Sequence, residues 1–268
     1  MLLLHTIRNQ LDYPLRQLVR WRRPGLHLRN EPKDNLFGDL SPDERLIAEA
    51  GARRLLVAYR LHTLYTASTR RNYRENLFYL EMLERALREA IVDLPPAVYA
   101  ADVGCSHWFY VKALYGLLSW WSTDQPRTVY LDGFEVDAFR VYADLHSRYD
   151  HAQSHLGSLP GVRYITTPFT TQPGKYDLVT MLFPFVFRRD ALEWGLPHYL
   201  FRPRELLAEV WHSVRPGGTL IVVNQGEAEH REQQALMAEA GIKLTGAFRH
   251  DSLFVHYTIP RFVLVARR

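Results

Sequence analysis

Ala101-Asp102-Val103-Gly104-Cys105-Ser106-His107-Trp108 decides the fold. The stretch follows an apolar run, Val98-Tyr99-Ala100, and leads into an apolar-periodic segment from Phe109 to Trp121. It reads as a buried strand, a tight glycine turn and then a helix. Such a turn aims backbone N–H groups and a helix N-terminus at a ligand, so a nucleotide-like cofactor is expected there. It is half of a glycine-rich loop: Gly104 is followed by Ser106 and Trp108.

Outward from this turn, residues 97–268 alternate strand and helix. Strands are expected at 98–103, 128–135, 162–166, 176–183, 219–224, 242–249 and 262–266, with helices near 108–120, 137–148, 203–214 and 227–240. Arg202-Pro203-Arg204-Glu205 starts the third of these helices, and Arg215-Pro216-Gly217-Gly218 stops it with a positive φ. No helix separates the last two strands, so they pair antiparallel. The predicted fold is α/β: a doubly wound, mostly parallel, seven-stranded Rossmann-like sheet with an antiparallel last strand.

Residues 1–96 read as an N-terminal helical extension, or lid, ahead of the 97–268 domain. Residues 1–40 are basic, aromatic and poorly periodic, with Arg16, Arg20, Arg22, Arg23 and Arg29 around Trp21 and Pro24. Ser41-Pro42-Asp43-Glu44 is a capping box with proline at the first helical position, opening a helix towards Tyr65. A second helix runs from Asn72 to Val92, with Leu80, Leu83, Leu87 and Ile91 at helical spacing.

Composition narrows the partners. The chain has 268 residues, 47% hydrophobic, with a formal charge of +4, too small to mark a nucleic-acid binder by itself. Met1-Leu2-Leu3-Leu4 meets His5 and Arg8 too soon for a signal peptide, and no segment reaches the length of a membrane span. No membrane partner is expected. The single cysteine, Cys105, excludes an internal disulfide and fits a cytoplasmic location.

The order of these elements resembles the class I, Rossmann-like S-adenosylmethionine-dependent methyltransferases over residues 97–268. Four places carry the likeness: Asp102-Val103-Gly104, Gly133-Phe134-Glu135, Tyr176-Asp177-Leu178-Val179 followed by Leu182-Phe183-Pro184-Phe185, and Leu206-Leu207 through Gly217-Gly218-Thr219-Leu220. The resemblance implies S-adenosylmethionine as cofactor, held by Asp102, Gly104, Cys105, Ser106, Glu135, Val136, Phe169 and Phe183. Gly104 lets the backbone approach the ligand, and Glu135 at a strand end accepts hydrogen bonds from both ribose hydroxyls. Asp102 either orients the loop or lies near the cofactor's ammonium. Phe169 stands where many relatives place an acid near the adenine, and offers stacking instead. Phe183 and Phe185 wall the methyl-transfer site. Arg71 or Tyr73, on an N-terminal lid, pairs with the cofactor's carboxylate; alternatively Asn72 simply caps a solvated helix.

Departures from the family bear on the site. Serine at 106 is tolerated if its φ stays negative, and its hydroxyl can bind a carboxylate. Trp108 either packs in the core or crowds the cleft. Gly104-Cys105-Ser106-His107 lacks the final glycine of a nucleophile elbow, which argues against a hydrolase. His151 and His155, four apart, can share a helix face, but their polar setting reads as a solvated helix end, and no metal is expected. Leu182 lacks the polar side chain that nucleic-acid amino-methylating relatives use to hold the target amine. Glu227 is either a base or a helix-start acid, and no catalytic residue is assigned. These features favour methyl transfer to a small-molecule acceptor. Two alternatives stay open: RNA methylation through the Arg16–Arg29 and Arg70–Arg74 clusters, and a non-enzymatic binding module with a degenerate cofactor site.

Overall fold

A computed structural model describes residues 2–268; Met1 and the side chains of residues 2–5 lie outside the described residues. Four helices come first: α1 (Leu2–Val19), α2 (Pro42–Ala58), α3 (His62–Thr66) and α4 (Arg70–Glu89). The alternating part follows as β1 (Ala97–Val103), α5 (Val111–Trp120), β2 (Thr128–Phe134), α6 (Arg148–Leu156), β3 (Val162–Ile165), β4 (Tyr176–Leu182), α7 (Arg188–Glu193), α8 (Pro203–Ser213), β5 (Val214–Gln225), α9 (Gly226–Glu239), β6 (Leu244–His250) and β7 (Arg261–Arg267). A single 3₁₀ turn, His198–Leu200, lies between α7 and α8.

The strands form one seven-stranded sheet in the order β3-β2-β1-β4-β5-β7-β6. β1 pairs parallel with β2 (Val98 beside Val129) and with β4 (Ala101 beside Val179). β7 runs antiparallel to both β5 and β6. Every residue of β4 is buried, as expected of a central parallel strand covered on both faces. One face packs Leu131, Ile221 and Val263 against α4, α5 and the helices outside them, through Leu55, Leu77, Leu83 and Leu117. The other packs Val179, Leu220 and Leu264 against Leu207 and Val210 of α8 and Met237 of α9.

The predicted architecture is present, with local corrections. The helix expected to open at Trp108 begins at Val111, because Ser106 (φ +53°) and Trp108 (φ +50°) hold left-handed backbone. The helix expected at 137–148 does not form. That stretch turns back on itself through a bridge between Val141 and Ser147, and α6 starts at Arg148 behind a capping box of Ser147 and Asp150. The helix from Ser41 stops at Ala58 because Arg60 takes φ +54°, and α4 ends before Ile91 (φ +49°). α1, in a stretch that carries no inward-facing apolar period, was not expected.

Candidate functional site

The strand order reverses between β1 and β4. β1 leads through α5 to β2 on one side, while β4 leads to β5 on the other. Ligands of open α/β sheets bind in the crevice this leaves at the strands' carboxyl ends. A cleft of about 310 Å³ lies there, within the usual size of small-molecule sites. Gly104, Ser106, Glu135, Val136, Phe169 and Phe183 line it, so six of the ten expected cofactor residues come together. Asp102, Cys105, Arg71 and Tyr73 do not line it.

Each of those four has a physical reason. Asp102 is fully buried below the turn, where its carboxylate accepts from Trp108 Nε1 (2.7 Å), Tyr110 Oη (2.7 Å) and Thr180 Oγ1 (2.7 Å). The carboxylate is bonded to Trp108 of the loop and does not line the cleft. Burial pushes its pKa up to about 6, against the pull of those three donors. Cys105 is buried, and burial pushes its thiol well above the usual range. α4 begins at Arg70 under a Thr69 cap, not an Asn72 cap. This leaves Arg71 exposed beside Glu75 (3.1 Å) and turns Tyr73 into the core edge-on to Tyr65.

Trp108 does not crowd the cleft. It is fully buried, and a Cβ built at Gly133 would come within 2.5 Å of its indole. Gly133 therefore makes room for Trp108, and the indole N–H fixes the Asp102 carboxylate. A Cβ at Gly104 (φ +80°), by contrast, meets nothing within 4 Å. The turn is open towards the cleft at that residue.

The loop differs from a phosphate cradle. Gly104 N and Cys105 N donate to Phe134 O (2.8 and 3.2 Å), Ser106 N to Glu135 Oε2 (2.9 Å), and Trp108 N to Cys105 O (3.0 Å). The Ser106 carbonyl accepts from Tyr164 Oη at 2.6 Å. These four amides already have acceptors within the protein, Ser106 N on the cleft-lining Glu135 itself, so the loop does not offer them to a ligand as expected. The positive φ at Ser106 points the same way: its peptide is clamped from both sides, which holds the conformation that glycine usually supplies.

Glu135 sits at the focus. Its Oε1 accepts from Asp137 N (2.8 Å) and from Arg148 Nη1 (3.2 Å), and its Oε2 accepts from Ser106 N. A carboxylate has about four acceptor positions, so three donors leave room for a further hydroxyl. Arg148 is buried, 4.7 Å above the Trp194 ring and 3.8 Å from Asp137. Arg16 of α1 closes the network through Asp137 (2.9 Å). Burial pushes the Asp137 carboxyl up, against the pull of Arg148 and Arg16.

The remaining walls are apolar. Phe169 meets Phe134 edge-on at 4.9 Å, and Phe183 (φ +61°) turns its backbone at the end of β4. Met181, Leu182, Pro184 and Phe185 continue that wall. The sequence reading missed the opposite wall: Ala191, Trp194, Leu196, Leu200, Phe201 and Leu206. Its signal was the density of apolar residues between Phe185 and Phe201, too high for a solvated connection. Among the described lining residues, Glu135, Arg202 and Glu209 are the ones with ionisable side chains.

Other expected residues lie elsewhere. Glu227 faces solvent and pairs with Arg231 (2.9 Å), while Gln225 reaches the cleft. His151 and His155 do share α6, but His151 bonds Asp144 (3.0 Å). Among the described residues no three His, Cys, Asp or Glu side chains are grouped to hold a metal.

No protein-family model and no curated protein matches the chain. Solved structures do match in fold. A Listeria monocytogenes chain assigned to the class I S-adenosylmethionine-dependent methyltransferases superposes with a TM-score of 0.51 at 13% identity, covering 88% of this chain and 78% of its own. An Aquifex aeolicus S-adenosylmethionine-dependent methyltransferase gives 0.48 at 17%, covering 72% and 91%. A geranyl diphosphate C-methyltransferase from Streptomyces coelicolor, solved with S-adenosylhomocysteine, gives 0.48 at 11%, covering 70% and 76%. The chain shares the class I methyltransferase fold.

Proposed function

We propose that this protein transfers a methyl group from S-adenosylmethionine to a small, largely apolar acceptor. The observation that carries the reading is Glu135, held just past the end of β2 with acceptor capacity to spare, bonded to the turn through Ser106 N and lining the switch-point cleft with Gly104. An inward-bonded loop suits a cofactor without phosphates. In this reading the remaining acceptor position of Glu135 receives one ribose hydroxyl, the Val136 and Phe169 side of the cleft receives the adenine, and Gly104 gives room for the chain that carries the sulfonium.

S-adenosylmethionine, when bound, supplies an already activated methyl group. The protein's own task is then to position the acceptor and exclude water. Phe183, Phe185, Trp194 and Phe201 suit that task for an apolar acceptor. The absence of His, Lys, Tyr, Cys and Asp among the described lining residues fits an acceptor that needs no strong base. Arg202 lines the cleft mouth as an exposed cation, suited to a carboxylate of cofactor or acceptor.

Two cations of the RNA alternative are engaged within the protein: Arg16 and Arg74 are held in ion pairs with Asp137 and Asp39. Calorimetric titration with S-adenosylmethionine and S-adenosylhomocysteine tests the proposal. Glu135→Gln keeps the shape and removes the charge, so it should weaken both ligands roughly ten- to hundredfold, the worth of about 1.5–3 kcal/mol for a charged hydrogen bond. Absence of heat with either ligand on the wild-type protein would sink the reading.

A further inference from the structure

The amphipathicity of α1 runs backwards. Its polar side faces the protein: Asn9 donates to Leu192 O (2.7 Å) and Leu196 O (3.0 Å), and Tyr13 and Gln17 both donate to Val136 O (3.1 and 3.0 Å). Arg16 reaches Asp137 and Gly195 O. Its apolar side faces outward. Ile7, Leu11, Leu15 and Leu18 follow helical spacing along one stripe and are 52, 69, 58 and 82% exposed. Val19, the last residue of α1, and Trp21 just beyond it are exposed as well. A helix packed on a soluble core does the opposite, and a contiguous exposed apolar stripe marks a surface that something covers.

The charges beside the stripe say what covers it. Arg20, Arg22 and Arg23 follow directly, and among the described residues none has a carboxylate within ion-pair distance of its guanidinium; the one carboxylate contact is the backbone N–H of Arg23, which donates to Asp150 Oδ2 (3.0 Å). Arg20 donates to Gln17 O, Arg22 lies 4.2 Å over the Tyr149 ring, and Arg23 donates to Asp144 O. These contacts orient the cations and leave their charge uncompensated. Asp12 is the acid within α1, and it is already paired with Arg8. A second copy that met this stripe with its own α1 would therefore bring the same cations and one acid that is already paired.

We propose that α1 is an interfacial helix that seats on an anionic lipid bilayer. Ile7, Leu11, Leu15 and Leu18 enter the boundary between headgroups and acyl chains, Trp21 lies at headgroup level, and Arg20, Arg22 and Arg23 meet the lipid phosphates. Because the inner side of α1 grips α7 and the segment around Leu196, the bilayer would lie beside the wall of the cleft. The docking argument rests on α1 and residues 20–23 and stands whether or not the cleft transfers methyl groups.

The test is co-sedimentation of the full chain with phosphatidylcholine vesicles and with vesicles containing 30% phosphatidylglycerol. Binding is expected on the anionic vesicles, weakening as salt rises. The double variant Leu11→Asp/Leu15→Asp, which alters exposed positions, should lose at least tenfold in binding. The triple variant Arg20→Gln/Arg22→Gln/Arg23→Gln should lose roughly a hundredfold, from about fivefold per surface cation. If either variant misfolds by circular dichroism, quenching of wild-type tryptophan by brominated lipid, lost in Trp21→Phe, decides instead. Wild-type protein that ignores anionic vesicles, or that binds them undiminished after Leu11→Asp/Leu15→Asp, overturns the proposal. So does a dimer, measured by light scattering, that those two substitutions dissociate while vesicles are not bound.

Discussion

A tryptophan, an aspartate and a glycine hold the turn in shape. Trp108 fills the space that Gly133 leaves, and its N–H, with Tyr110 and Thr180, saturates the buried Asp102. Asn at 102 would turn an N–H₂ group towards at least one of these donors. Asp102→Asn should therefore destabilise the fold by about 1–3 kcal/mol at neutral pH. The pH dependence has a definite sign. Asp102 has a folded pKa of about 6, above its ordinary 3.8, so the folded state binds the proton more tightly. Its contribution to stability is full below pH 4 and is lost as pH rises through 6, by up to about 3 kcal/mol. The wild-type advantage over Asp102→Asn should narrow by that order between pH 4 and 7, because every other titration is common to both proteins. Urea unfolding of both proteins across this range checks it, and a constant gap would contradict the burial argument.

At the scale of elements, α1 acts as a clamp on α7. Asn9 is buried and satisfies two carbonyls of the α7 segment. Asn9→Ala should cost about 1–3 kcal/mol and speed amide exchange across residues 188–200, leaving β1, β4 and β5 protected. An equal loss of protection everywhere would refute a local clamp. The same elements show what the sequence could reveal. The strands were legible because β4 is wholly buried and β5 is buried from Gly218 to Asn224, which leaves short, mostly apolar and β-branched runs. The helix misplaced at 137–148 was not legible, because Asp137 serves a buried ion-pair network and the Ser147 cap starts the helix later. α1 escaped notice because Pro14 stands inside it and no acid marks its first turn, so the spacing of Ile7, Leu11, Leu15 and Leu18 does not read as a helix. In the site, Gly104 and Glu135 could be read from their places at strand ends. The α7 wall showed only as apolar density between Phe185 and Phe201, since a helix of six residues leaves almost no period.

At the scale of the molecule, one sheet couples two cores. Along β5 the side chains alternate: Leu220 enters the layer under α8 and α9, and Ile221 the layer shared with α2, α4 and α5. Both are fully buried, so Leu220→Ala and Ile221→Ala should each cost about 2–5 kcal/mol. Because Leu55, Leu77 and Leu83 belong to the same apolar layer as Ile221, each variant should unfold in a single calorimetric transition that includes the N-terminal helices. A second, separate transition in either variant would show those helices to be independent.

The chain's lone thiol also gives the turn a means of keeping time. Cys105 lies sealed beneath the loop, its Sγ 3.6 Å from Phe134 O, and no second cysteine competes for a reagent. An alkylating probe in excess can reach it only when the loop lifts, so the rate of labelling counts those excursions one by one. Anything that seats in the cleft and holds the loop down would slow the count, with no dye, tag or second chromophore needed.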